Sequence, residues 1–228
     1  MDDQSCGREA LREGLRRVCS TLKQGQIPFA VAGGNALWVH GARESDHDVD
    51  VVVADSQVED AVRCLDRAGF LIERPPEDWL FKAWWGPAMV DVIHRLHTGP
   101  VDERVLARAQ DHEMLGVRVP VLPAQDVIME KLLTLREQYC DLSGLFGVVR
   151  GVREQLDWAA LAQGAGHNEL AFAFLVAAER LGISDYHLST DTEFTDTDRD
   201  PAGGSAPAQI PVPRGAATPE RPAPVDDP

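Results

Sequence analysis

Cysteine is scarce in this chain. Four cysteines fall among 228 residues, at positions 6, 19, 64 and 140. They form no CxxC pair and no metal-ligand spacing, which argues against a disulfide framework and predicts reduced thiols in a cytoplasmic protein. Long apolar runs are missing as well. None approaches the ~20 residues that span a bilayer, so no membrane segment is expected. The acidic start Met1-Asp2-Asp3-Gln4 is unlike a signal peptide. Basic residues are few: 22 Lys and Arg stand against 37 Asp and Glu, for a net charge of −15. Residues 1–184 and the remainder are both acidic, so nucleic acid and anionic membrane are not the expected partners. Arg8, Arg12, Arg16 and Arg17 read as one face of a helix rather than as a binding patch.

What remains is the composition of a soluble globular protein, 44% hydrophobic and 26% charged. Leu11, Leu15, Val18 and Leu22 recur at helical spacing and predict an amphipathic helix over residues 4–24. A short buried strand is expected at 28–32 and a helix at 35–40. An acid-bearing strand at 48–53 comes next, then a helix to about 68 opened by a capping box at Ser56–Glu59. Strands are expected at 70–73, 80–84, 88–94 and 115–121, with a short helix at 102–109. After Pro123 the pattern turns helical, at 124–137, 142–156, 157–163 and 168–181. The expected fold is therefore α+β, a mixed β-sheet core with flanking helices. Three parts are expected: a core at 1–122, a helical segment at 123–186 and a Pro/Ala/Gly-rich acidic tail at 187–228. The tail has too little apolar surface to offset its ordering entropy, so it is expected to be disordered.

The residues that suggest chemistry are concentrated near the start of the core. In a strand, residues i and i+2 share a face, so Asp48 and Asp50 should project together. Asp91, in the apolar run Met89-Val90-Asp91-Val92-Ile93, joins them if its strand is a neighbour. Two like charges about 4 Å apart repel by roughly 4 kcal/mol at an effective dielectric of 20. Such a cluster calls for cations, and paired divalent ions meet that need. Upstream, Gly33-Gly34 breaks a strand before a helix, where backbone N–H groups can receive phosphate oxygens. Asn35 can cap that helix or donate to a phosphate.

The stretch Ala32-Gly33-Gly34-Asn35-Ala36, then Arg43-Glu44-Ser45, then Asp48-Val49-Asp50-Val51, resembles the nucleotidyltransferase superfamily that includes DNA polymerase beta. The nearest likeness is to its minimal and aminoglycoside-nucleotidyltransferase-like branches. It covers residues 25 to about 140 well and the later helices loosely. By that resemblance Asp48, Asp50 and Asp91 would be catalytic and would hold two Mg2+ ions. Gly33 and Gly34 would cradle the β and γ phosphates, with Asn35, Arg43, Ser45 and Lys131 also on the nucleotide. The donor would be a nucleoside triphosphate such as ATP, and the acceptor a hydroxyl, with pyrophosphate leaving. Gly34-Asn35 departs from members that place a serine hydroxyl on phosphate.

Other residues have plainer readings beside the functional one. His94 and His97 look like a ligand pair but lack a partner acid at metal spacing, and read as polar strand-end residues. A calcium loop at 46–57 fails because its sixth and twelfth positions are Val51 and Gln57. His47 is either a substrate contact or an exposed side chain. Trp79, Trp84 and Trp85 could stack on a base, though core packing is the commoner use. Asp141 reads as a helix N-cap. The favoured acceptor is a small molecule. The alternatives are a protein or tRNA acceptor, as in toxin–antitoxin systems resembling this family, and an inactive nucleotide- or partner-binding module.

Overall fold

Leu15, Val18, Cys19 and Leu22 are all buried, so the helical spacing read in the sequence makes one inward face of α1 (Asp3–Gln24). The structure is a computed structural model that describes residues 3–45, 47–138, 140–165 and 168–187. The expected disordered tail, beyond His187, lies outside the described residues. After α1 come β1 (Phe29–Val31), α2 (Gly33–Val39), β2 (Val49–Val53) and α3 (Val58–Arg67). Next are β3 (Leu71–Glu73), β4 (Leu80–Trp85), β5 (Ala88–Ile93) and a small hairpin of β6 (Arg95–Leu96) and β7 (Gly99–Pro100). The short α4 (Glu103–Ala107) leads into a second hairpin, β8 (Gln110–Met114) and β9 (Val117–Val121). Four helices follow: α5 (Ala124–Leu133), α6 (Leu142–Val152), α7 (Trp158–Ala165) and α8 (Glu169–Arg180).

Seven strands form one sheet in the order β3-β4-β5-β2-β1-β9-β8. β2 runs parallel to β5 and β1 parallel to β9, while the other neighbours are antiparallel. This is the expected α+β architecture with a mixed sheet. α1 lies against β5, where Gly14 permits close approach: a Cβ there would stand 2.7 Å from the Ala88 Cβ and 3.9 Å from Val90. Val90 therefore faces α1, and strand alternation turns Met89, Asp91 and Ile93 to the opposite face. β4 and β5 are joined by the two residues Gly86-Pro87, with Trp85 paired to Ala88 and Gly86 at φ +55°. The later helices hold to one another and to the core. α5 meets α7 and α8, and Phe146 stacks on Phe174 at 4.7 Å. A Cβ on Gly151 of α6 would stand 2.7 Å from the Gly41 carbonyl oxygen, so this glycine lets α6 reach the loop after α2.

Several expected boundaries move. The polar run Gln110–Met114, unassigned by periodicity, is a strand because Leu115 and Gly116 (φ 52° and 74°) turn it back onto β9. The capping box at Ser56 does not form. Residues Asp55–Gln57 wind into a 3-10 turn, and no side chain caps α3. α5 stops at Leu133 instead of reaching 137, and α6 at Val152 instead of 156. Cys19, Cys64 and Cys140 are free thiols, as expected. Burial pushes the Cys19 thiol up to about 12, which keeps it unreactive. No described helix is long and apolar enough to cross a membrane.

Candidate functional site

Strand register builds the acidic cluster. Parallel pairing of β2 with β5 sets Asp50 beside Asp91, and Asp48 lies two residues before Asp50 at the entry to the same strand. One carboxylate oxygen from each of Asp48, Asp50 and Asp91 lies within 4.8 Å of the others. Asp91 is 2% exposed. The cluster opens into a cavity of about 840 Å³ whose walls come from the sheet face, the loop before β2, and helices α5 and α6.

Such crowding carries an electrostatic cost that the structure records. Burial, then the charges of Asp48 and Asp91, push the Asp50 carboxyl well above the usual carboxylate range. Lys131 and a hydrogen bond donated by the Gly34 N–H pull it back in part. Burial also raises Asp91, against the Lys82 ammonium that donates to its Oδ1 at 2.8 Å. Three converging carboxylates are hard oxygen donors with unbalanced charge. That donor set fits Mg2+ or Mn2+ better than a metal that prefers nitrogen or sulfur.

The diglycine lies directly on this cluster. Gly33 has φ +53°, and a Cβ there would overlap the Asp50 carboxyl, 2.5 Å from its Cγ. Gly34 faces Ser45, whose Cβ and Oγ would each be 2.9 Å from a Gly34 Cβ. Arg43 and Lys131 line the same cavity. Of the residues singled out in the sequence, the structure thus gathers Gly33, Gly34, Arg43, Ser45, Asp48, Asp50, Asp91 and Lys131 around one space. Asn35 is used differently. It is 5% exposed, and its Nδ2 donates to the Asp48 carbonyl at 3.0 Å. It neither caps α2, whose N-cap is Ala32, nor faces the cavity. Its amide braces the chain as it enters the acid strand.

Other candidates separate. Trp79, His47, His97 and Asp141 line the cavity. Trp84 donates to Glu73 at 2.9 Å, and Trp85 lies against Phe70 and beneath the Arg17 guanidinium. These two tryptophans pack the sheet, as their plainer reading had it. Asp141 accepts from the Gly144 N–H at 2.9 Å and caps α6. His94 does have a partner acid: its Nδ1 lies 2.6 Å from Asp55 Oδ1, a residue 39 positions earlier.

Most other acids of the cavity already have partners. Glu44 accepts both Arg12 bonds, at 2.6 and 2.7 Å, and they hold its carboxyl below the usual range. Glu130 accepts from the His97 and Thr98 N–H groups and from the Thr98 hydroxyl. Asp126 is paired with Arg108. Sequence reasoning missed Lys82, Glu130 and the Arg108–Asp126 pair. Only Lys82 had a possible signal, its place in the strand next to that of Asp91.

No family model matches the chain, and no curated protein matches it. Solved structures give likenesses in outline. The antibiotic-resistance factor ANT(2'')-Ia is 12% identical over 75% of this chain and 92% of its own, with a TM-score of 0.48. The lincosamide antibiotic adenylyltransferase LnuA, bound to lincomycin, is 12% identical over 60% of this chain and 92% of its own, with a TM-score of 0.43. An antigenic nucleotidyltransferase-like protein from Paracoccidioides brasiliensis is 14% identical over 76% and 88%, with a TM-score of 0.46.

Proposed function

We propose that this chain is a metal-dependent nucleotidyltransferase. The observation that carries the reading is the meeting of Asp48, Asp50 and Asp91 within 4.8 Å, against a glycine backbone and beside Lys131. In the reaction, the acceptor hydroxyl oxygen forms a bond to the α-phosphorus of a nucleoside triphosphate. The α–β bridging bond breaks, and pyrophosphate leaves. Two divalent ions held by the three acids would supply charge neutralisation for the phosphates. Asp91 accepts the proton that the acceptor hydroxyl loses. The Gly33-Gly34 backbone receives the β and γ phosphates, with Arg43, Ser45 and Lys131 adding donors and positive charge. Residues 1–122 carry this machinery apart from Lys131, which the segment 123–186 contributes while walling the acceptor side. A cavity of about 840 Å³ is of a size for small molecules, which favours a small acceptor over a macromolecular one.

Calorimetry with ATP, GTP, CTP and UTP, each with and without magnesium, tests the reading. At least one triphosphate is expected to bind only with magnesium, and Asp48→Asn to weaken that binding by at least about 30-fold, roughly 2 kcal/mol for a lost charged ligand. Absence of binding to all four, with magnesium present, would defeat the proposal.

A further inference from the structure

Lys82 makes a contact whose consequence reaches beyond packing. Its Nζ donates to Asp91 Oδ1 at 2.8 Å and lies 3.3 Å from Met89 Sδ. Register fixes this pair: β4 sets Lys82 directly opposite Asp91, and β3 sets Glu73 opposite Lys82. A row of residues, Asp50, Asp91, Lys82 and Glu73, therefore crosses four adjacent strands. The Lys82 side chain is 17% exposed and that of Asp91 3%, so little water screens the charge between them. One oxygen of Asp91 is committed to the ammonium. The three-acid cluster consequently has a positive charge built into its β4 side.

We propose that Lys82 is a resident competitor for divalent cations. It supplies part of the positive charge the three carboxylates call for, so the nucleotide-free protein binds these ions weakly. Full occupancy then waits for the negative charge that the substrate's phosphates bring. The inference rests on the metal-dependent reading above and adds to it an order of events, nucleotide and cation arriving together. Lys82 acts through Asp91 and is a positioning residue. The physical basis is repulsion: a cation entering beside Asp91 meets a fixed like charge in a poorly screened place.

Manganese titrations of the nucleotide-free protein, followed by calorimetry, test this in the parent, Lys82→Met and Lys82→Arg. Methionine keeps the length of the side chain beside Met89 and removes the charge. Lys82→Met is expected to bind Mn2+ at least about tenfold tighter than the parent, and Lys82→Arg to stay within about threefold of it, by the Coulomb argument. A parent with no measurable binding beside a Lys82→Met protein that binds is the same result in stronger form. Equal or weaker binding by Lys82→Met overturns the proposal, as does a Lys82→Arg protein that behaves like Lys82→Met. Thermal melts identify a variant that fails to fold, in which case Lys82→Gln is read against the same criteria. Magnesium-dependent nucleotide binding by the parent is a separate measurement, so its outcome distinguishes failure here from failure of the function itself.

Discussion

An Asp50→Asn protein is expected to melt at a higher temperature than the parent at pH 7 in the presence of a chelator. Removing a carboxylate from a buried site ordinarily costs stability, but here the charge itself is the burden. Burial, Asp48 and Asp91 all raise the Asp50 carboxyl well above its usual range. The sign follows from linkage. The folded protein holds this proton where the unfolded chain, titrating near 3.9, releases it, so the group's stabilising contribution is full below about pH 3.9 and falls as pH rises toward the raised folded value. Asparagine does not titrate, and its side-chain oxygen can still accept the Gly34 N–H. At pH 7 the variant should therefore gain at least about 2 °C, which corresponds to roughly 1 kcal/mol for a chain of this size. The gap should close as the pH is lowered to 4. Magnesium supplied together with a nucleoside triphosphate should raise the parent's melting temperature and leave the variant's nearly unchanged. Melting scans across pH 4–8, with chelator and with metal plus nucleotide, read all three. A parent as stable as the variant at pH 7 without metal would show that the cluster is not strained.

Gly33→Ala is the second variant with a large expected effect. At φ +53° an alanine costs roughly 1–2 kcal/mol in backbone strain. Its methyl would also overlap the Asp50 carboxyl, 2.8 Å from the Asp50 Cβ and closer still to the head group. Either the glycine turn or the acid must move, and both belong to the proposed triphosphate site. Gly34→Ala provides the contrast, because Gly34 has no positive φ. Its methyl meets Ser45, 2.9 Å from that residue's Cβ and Oγ, so the loop at Ser45 must give way but no carboxylate is displaced. Magnesium-dependent nucleotide affinity should fall at least about 100-fold for Gly33→Ala and about tenfold or less for Gly34→Ala, the gap reflecting strain plus a displaced ligand. Circular dichroism checks that both variants retain the fold. A Gly34→Ala loss equal to that of Gly33→Ala would mean the overlap with Asp50 does not govern the site.

The alternation in Asp48-Val49-Asp50-Val51 was legible because a strand has a period of two, and the apolar run around Asp91 marked a second buried strand. Their meeting depended on which strands are neighbours, and periodicity carries no information about that. The same gap hid Lys82, which in sequence is one polar residue between Phe81 and Ala83. It also hid the acid for His94, since Asp55 lies 39 residues away and reaches the histidine only through the packed sheet. Asn35 was read from its local position after a diglycine, where capping is the ordinary use. The structure spends its amide on a long-range bond to the Asp48 carbonyl instead. Local rules failed in the same way at Ser56, where a 3-10 turn replaced the capping box. The long apolar pattern of α1 was read closely because burial of one face decides it. The same signal marked the helices after Pro123, although α5 and α6 each end four residues short of the expected bounds.

The two-residue connection Gly86-Pro87 acts as a ruler for charge. Together with the buried faces of the two strands, it fixes how far β4 slides along β5, and therefore which side chain stands across from Asp91. Lengthening it by one residue shifts that pairing to Phe81 or Ala83 and turns Lys82 to the far face of the sheet. Such a slip would take the buried Phe81 and Ala83 off their own face, so the acid would lose its counter-ion and the core its packing together. Ion demand at the heart of the molecule is thus written in the length of a turn at its edge.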